Sequence, residues 1–486
     1  MPQIPARCLV ENRAKKCGRN NHLESKSMAD KGSLKKIKSG LFDRSLALTK
    51  VAVKSSASFA ASSLKNAFSD KDIKNASMKI LLESQARLLT KELGELKGSL
   101  MKVGQMLALY GEHFFPKEIV NTLKSLNQDS PPLEWEVIEP VIRRRLTSEQ
   151  LELLEIEKEA LAAASMGQVH RATIKATGET ICLKIQYPGV AKAIDSDIKT
   201  LRSILGMFKM IPKQSEGFEQ MMTELKAMLK QEVDYSRELK ATAAMYELLV
   251  DQPEFIVPKV YPDFSGPKIL ATSFEPGFDM GSPEVASLSF ERRNRLAQNY
   301  ARHFLQELFV FKQVQTDPHF GNYKIRINEN GEDQIVLLDF GAVRKFSQTF
   351  IQSYTQMVSG IFEDDREKTI AGAIKVGYLH EGDGIKLQDS FWEITQLALE
   401  PWLSADNPRA NFDNLDRQGY YMWSQSDLPN RVSKKGAEYA LTFKLRPPPR
   451  EVVFLDRKIG GVFIVLKTLD ARFDGEKLIG GFLGHR

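Results

Sequence analysis

Asp317, Asn322 and Asp339 fall in one stretch, residues 314–343, which reads VQTDPHFGNYKIRINENGEDQIVLLDFGAV. Pro318 and Gly321 break the segment around the first two, so Asp317 and Asn322 share a loop. Tyr323–Ile327 alternates as a strand, Asn328–Gly331 supplies turn residues, and Gln334–Leu338 is a second strand. Asp339-Phe340-Gly341 follows at once. A hairpin of this kind brings three oxygen-bearing side chains to one end. Phosphoryl transfer asks for such a group: a carboxylate beside the attacking hydroxyl or water, and an Asn with an Asp to hold Mg²⁺. Taken singly, each residue would more often cap a turn. The ordered set points to chemistry.

The Asp-x4-Asn spacing ahead of Asp-Phe-Gly matches the catalytic and metal loops of protein kinases. One difference stands out, because Gln315-Thr316 replaces the His-Arg that would precede Asp317. Such a site needs a lysine for the nucleotide phosphates, and the period of the sequence changes to supply one. Glu155–Ala160 reads as a strand, followed by a small-residue loop holding Ala162, Ala163, Ala164 and Ser165. Small side chains let backbone N–H groups approach phosphates. Val169–Lys175 and Thr180–Gln186 are two further strands, the last carrying Lys184. Alternation puts Cys182 on the same face, so Cys182 should line the roof of a nucleotide pocket.

A buried lysine needs a carboxylate partner. The stretch 216–249 reads as one helix with a core stripe of Phe218, Met221, Met222, Leu225, Met228 and Leu229, and carries Glu232, Asp234 and Glu238. Glu232 or Glu238 is the expected partner of Lys184. Phe274-Glu275-Pro276-Gly277 reads as the join between two lobes, placing Glu275 among the nucleotide-binding candidates. Residues 290–312 read as a helix leading into the catalytic loop.

Upstream, residues 73–126 look helical, with Leu89, Leu93, Leu96, Leu100 and Leu107 on one stripe. Gly94, Gly98 and Gly104 each cost about 1 kcal/mol in a helix, so close approach of a backbone or ligand is expected there. Lys102 and Gln105 share a face that packing alone does not explain.

The chain has 486 residues, enough for two or three domains. Its three cysteines (Cys8, Cys17 and Cys182) cannot build a disulfide framework, and no Cys/His spacing suggests zinc. No apolar run approaches the roughly 20 residues that span a bilayer. The net charge of +6 is concentrated in residues 1–66, which carry 14 Lys/Arg against 4 Asp/Glu. The body is therefore not a basic nucleic-acid platform, and the arm lacks the interleaved aromatics of one. Short apolar clusters among lysines in residues 33–69 suit an anionic membrane surface or a solvated helix equally. Residues 1–27 lack an apolar core for a secretory signal, and Met28 reads as an alternative start.

Lys102-Val103-Gly104-Gln105, Ala162-Ala163-Ala164-Ser165, Glu232-Val233-Asp234, Asp317…Asn322 and Asp339-Phe340-Gly341 occur in that order. Together they resemble the UbiB/AarF/ADCK atypical kinase family, over about residues 81–346 and on toward the C-terminus. The resemblance implies an α+β, bilobal protein-kinase-like fold with an N-terminal helical extension and a helical C-lobe. The implied layout is a basic arm over 1–70, the extension over 71–154, an N-lobe over 155–277 and a C-lobe over 278–486. It also implies an ATPase or small-molecule kinase using ATP (or ADP) and Mg²⁺, linked to ubiquinone biosynthesis or isoprenoid-lipid handling. Lys184 would bind phosphates with Glu232 as partner and Glu238 as a further acidic residue. Asp317 would be the catalytic carboxylate, Asn322 and Asp339 would hold Mg²⁺, and Lys102 and Gln105 would reach in from the extension. Phe320 stands where many members have proline.

A nucleotide-sensing, lipid-binding scaffold without turnover is the alternative. Ordinary protein kinase activity is disfavoured, because the extension would block a peptide and no Ala-Pro-Glu follows the Asp-Phe-Gly. The expected partners are a lipid or quinone-like molecule, an anionic membrane surface and proteins of quinone biosynthesis. The expected location is bacterial cytoplasm at the inner membrane, with the mitochondrial matrix side as the alternative.

Overall fold

A computed structural model describes Lys102 and residues 132–164, 166–207, 216–442 and 449–484. The basic arm, most of the helical extension, Gln105 and Ser165 lie outside the described residues. The strands are β1 (Leu154–Ala163), β2 (Gly167–Ile174), β3 (Glu179–Gln186), β4 (Phe255–Ile256), β5 (Ile269–Ser273), β6 (Phe278–Asp279), β7 (Gln313–Gln315), β8 (Tyr323–Arg326), β9 (Gln334–Leu337) and β10 (Val343–Lys345).

β1, β2, β3 and β5 form an antiparallel sheet in that order. In β3, Ile181, Leu183 and Ile185 are fully buried on one face, leaving Cys182 and Lys184 half-buried on the other. The buried face joins a core with Ile138 and Ile142 of helix Trp135–Arg143, Ile194 and Leu201 of helix Val190–Met207, and Phe218 and Leu225 of helix Glu216–Glu232. A second sheet, ordered β4-β9-β8-β6, packs in a separate core with helices Phe290–Leu305, Gln348–Phe362 and Arg450–Thr468. Two cores, one per four-stranded sheet, make the fold bilobal and α+β. The segment 274–277 runs from β5 of the first sheet to β6 of the second.

Three elements differ from the sequence reading. The helix expected over 216–249 is two helices, Glu216–Glu232 and Tyr235–Leu249, broken at Val233-Asp234. Asp234 is the N-cap of the second, its carboxylate accepting from the Arg237 N–H at 3.4 Å. A short polar side chain that bonds its own following backbone competes with helix continuation. Glu232 thus ends one helix and Glu238 lies in the first turn of the next. The expected small-residue loop is also shorter. Ala162 and Ala163 pair with Val169 and Gln168 inside the β1–β2 ladder, and the Ala164 N–H donates to the Gly167 carbonyl at 2.8 Å to close the turn. Thirdly, helix Phe290–Leu305 ends in a π-helical turn, Gln306–Val310, in which Glu307 is fully buried.

β7 and β10 pair antiparallel, Gln315 opposite Val343, and so clamp the roots of the two loops that carry the oxygen ligands. The β8–β9 hairpin between those loops turns through Gly331 at φ +81°, where an L side chain would be strained. The helix Arg450–Thr468 crosses both lobes. Its Phe454 enters the first core, while Val452, Leu455, Val462 and Val465 belong to the second. Arg344, in β10, stacks over the Phe454 ring at 3.5 Å.

Candidate active site

Asp317, Asn322 and Asp339 meet at the end of the β8–β9 hairpin. The Asn322 amide nitrogen donates to the Asp317 carbonyl at 3.0 Å, and the Leu338 N–H donates to the Asn322 carbonyl at 2.9 Å. The side-chain bond uses the amide nitrogen and leaves the amide oxygen as the atom able to ligate. Asp339 Oδ1 accepts from the Gly341 N–H at 2.8 Å, and Oδ2 accepts from Lys184 Nζ at 2.9 Å.

Lys184 Nζ also donates to Glu238 Oε1 at 2.6 Å. Glu238 is therefore its partner. Glu232, the partner implied by resemblance, instead pairs with Lys102 at 2.6 Å. The break at Asp234 explains the correction, since the two carboxylates sit on different helices. Lys102 Nζ also lies 3.8 Å from Asp317 Oδ2, while Arg457 donates to Asp317 Oδ1 at 2.6 Å. Asp317 is thus held from both sides, by the N-terminal extension and by the helix Arg450–Thr468.

The charges set the protonation states. Burial pulls the Lys184 ammonium down, but Asp339 and Glu238 outweigh it and hold its pKa well above the ordinary lysine value. Lys102 is raised in the same way by Glu232 and Asp317 against the pull of burial. Burial would push Asp317 up, yet Lys102 and Arg457 keep its pKa below the usual carboxylate value. Asp339 is also lowered against burial, by Lys184 and the Gly341 N–H. Glu238 goes the other way. Burial, with the Asp339 charge added, outweighs the help of Lys184 and pushes its pKa to about 7.

Lys102, Lys184 and Arg457 face Glu232, Glu238, Asp317 and Asp339, three cations against four carboxylates. One divalent cation would make the cluster net positive and suit it to a polyphosphate. Among the described residues no three His, Cys, Asp or Glu side chains gather as a metal cage. Mg²⁺ does not need one, because it is held by one or two protein oxygens together with substrate phosphates and water. Asn322 and Asp339 fit that requirement.

Cys182 shares the Lys184 face of β3, as alternation requires. Burial pushes its thiol to about 12, so it is a neutral thiol and not a thiolate. The Glu275 carboxylate is already engaged, accepting from Ser273 Oγ at 2.6 Å and from Arg326 Nη2 at 2.7 Å. It braces the inter-lobe segment against β8. Asp234 is committed to its helix cap. Ala162 and Ala163 are in β1, with Ala164 at the turn.

A family model described as the ABC1 atypical kinase-like domain matches residues 125–372. The chain belongs to this family. It is an atypical kinase with a protein-kinase-like fold. This ABC1 chain is 28% identical over 400 residues to "Atypical kinase COQ8, mitochondrial" of Saccharomyces cerevisiae, covering 82% of this chain and 76% of that one. It is 30% identical to "Atypical kinase COQ8B, mitochondrial" of Danio rerio, covering 81% of this chain and 60% of that one. Among solved structures, the complex of Rv3197 with erythromycin from Mycobacterium tuberculosis superposes with a TM-score of 0.56 at 23% identity. That likeness covers 84% of this chain and 98% of the other, and shows the fold.

The ABC1 site also contains residues that were not among the candidates read from the sequence. Gln315 binds both loops of the site, with its Nε2 donating to the Asp339 carbonyl at 2.6 Å. Its replacement of a kinase histidine was a visible signal. Arg457 carried no such signal, lying far along the chain between Asp456 and Lys458.

Proposed function

We propose that this ABC1-family kinase is an Mg-ATP-dependent phosphotransferase or ATPase acting on, or gated by, a lipid or quinone precursor. In this reading it supports ubiquinone biosynthesis or isoprenoid-lipid homeostasis. The observation that carries the nucleotide chemistry is Lys184 held between Glu238 and Asp339, beside Asp317 and Asn322. Asn322 and Asp339 would hold Mg²⁺, which when bound supplies charge neutralisation at the phosphoryl oxygens. Lys184 would exchange its bond to Asp339 for α- and β-phosphate oxygens while Glu238 keeps it oriented. Asp317 would face the attacking oxygen.

The lipid or quinone acceptor, membrane contact through the basic arm, and partner proteins of quinone biosynthesis rest on the family resemblance and on the arm's charge. Among the described residues no helix is long and apolar enough to cross a membrane. Relatives named as mitochondrial favour the mitochondrial matrix side over a bacterial cytoplasm.

A second reading, nucleotide sensing without turnover, is favoured by the two cations on Asp317, because a carboxylate so held is a weak base. Mg²⁺-dependent ATP hydrolysis by the purified chain separates the readings. It is measured with and without anionic liposomes and a quinone-like phenol, with Asp339→Asn as control. Turnover that rises with lipid and disappears in the variant supports the first. Nucleotide binding without turnover under every condition supports the second.

A further inference from the structure

Gln315 lies two residues before Asp317 and is 3% exposed. Its side chain is divided between the two loops of the site. Oε1 accepts from the Asp317 N–H at 2.7 Å, and Nε2 donates to the Asp339 carbonyl at 2.6 Å. This position needs one donor and one acceptor on the same side chain. An amide supplies both, and so does a neutral imidazole. A carboxylate lacks the donor, and leucine lacks both.

The residue is itself anchored. Its backbone N–H donates to Glu307 Oε1 at 2.8 Å. Glu307 lies in the π-helical turn, whose extra residue per turn re-aims a side chain. Its other oxygen pairs with Lys458 Nζ at 2.9 Å, and both side chains are buried. His303 lies 3.8 Å from Glu307, but burial pushes its pKa to about 4, so it is neutral. Lys458 is the counter-charge: burial pulls it down, yet Glu307 keeps its pKa above the ordinary value. The residue before it, Arg457, returns to Asp317 Oδ1. A closed circuit therefore runs from the Asp317 backbone through Gln315, Glu307, Lys458 and Arg457 to the Asp317 carboxylate.

We propose that Gln315 is a positioning residue that fixes Asp317 relative to Asp339, with the Glu307–Lys458 pair tying it to the helix that carries Arg457. The proposal rests on the reading of this site as a nucleotide-transfer centre. It adds that one side-chain amide joins the Asp317 and Asp339 backbones directly, beyond the β7–β10 pairing and the Thr316 bonds to the Ala342 carbonyl.

The test uses the full chain and three variants. Gln315→Leu should lower kcat about 100-fold, the effect of a misplacement near 1 Å, with KM for ATP changed little. Gln315→His should recover most of that loss, and Gln315→Glu should not. A Gln315→Leu kcat within about threefold of wild type, or a histidine variant no better than the glutamate one, overturns the proposal. Should the leucine variant fail to fold, the histidine and glutamate variants carry the same comparison. Hydrogen exchange of the nucleotide-free protein gives a readout independent of turnover. Peptides over 316–322 and 338–343 should exchange faster together in Gln315→Glu, with β3 unchanged. Faster exchange in one loop alone, or in neither, overturns the coupling. An inactive wild type would sink the reading of function and leave the exchange result to decide this one.

Discussion

Arg457 and Asp317 are 140 residues apart in sequence, and the guanidinium donates to the carboxylate at 2.6 Å. Both side chains are about three-quarters or more shielded, so solvent screens the pair less than a surface one. The pair stabilises the ionised, weakly basic form of Asp317 and places the helix Arg450–Thr468 on the catalytic loop. Replacing Arg457 by glutamine removes one of the two cations that hold the Asp317 pKa down. The acidic limb of the pH–rate profile should then move to higher pH, measured as kcat/KM across the acid range. A limb that stays where it was would remove any electrostatic role for Arg457.

The two glutamates near the site should differ in what they cost. Glu238 is the carboxylate on Lys184, so Glu238→Gln should weaken nucleotide binding about tenfold, or ~1.4 kcal/mol. Glu232 is on Lys102, and Glu232→Gln should change nucleotide affinity by less than about threefold. Nucleotide titration followed by fluorescence or calorimetry checks both. Equal losses would mean that Lys184 is oriented by something other than Glu238.

These relationships mark what a sequence can and cannot convey. The hairpin that gathers Asp317, Asn322 and Asp339 was legible because strand alternation, turn residues and loop breakers are local. The face shared by Cys182 and Lys184 was legible for the same reason. The partner of Lys184 was not, because it depends on a helix break at Asp234, where no glycine or proline marks one. Ala162 and Ala163 looked like a loop because small residues carry little strand propensity, yet the β1–β2 ladder extends through them. Arg457 and Lys458 contact the site only through the packing of a distant helix, and no local pattern encodes that.

Stability should carry its own pH signature. The pKa of Glu238 is raised to about 7 in the folded chain, above the ordinary value near 4.5. The native state therefore binds this proton more tightly than the unfolded state, and the group's contribution falls as pH rises through that window. The span corresponds to roughly 3 kcal/mol at most. Asp317 and Asp339 are shifted the opposite way, so their effect appears only as pH falls below the ordinary Asp range. Urea midpoints at pH 5 and pH 8 should decline toward pH 8 in wild type by more than in Glu238→Gln. An identical pH dependence in the two proteins would show that Glu238 is ionised throughout.

Two adjacent glycines on the helix that holds Asp317 face different surroundings. A Cβ at Gly461 would overlap the ring of Pro318, the residue after Asp317, whereas a Cβ at Gly460 meets nothing within 4 Å. Both are helix-interior positions, and alanine is the better helix former by about 1 kcal/mol. Gly460→Ala should therefore raise stability slightly and leave turnover alone. Gly461→Ala gains the same propensity but must push apart a helix and a rigid ring, an overpacking cost of about 1–3 kcal/mol. Its effect should not be confined to the melting temperature. Pro318 cannot yield without moving the Asp317 backbone, so kcat should fall as well, by about tenfold or more. If Gly461→Ala were as stable and as active as Gly460→Ala, the close seating of this helix on the catalytic loop would be wrong. The Arg457 contact to Asp317 would then lose its structural support.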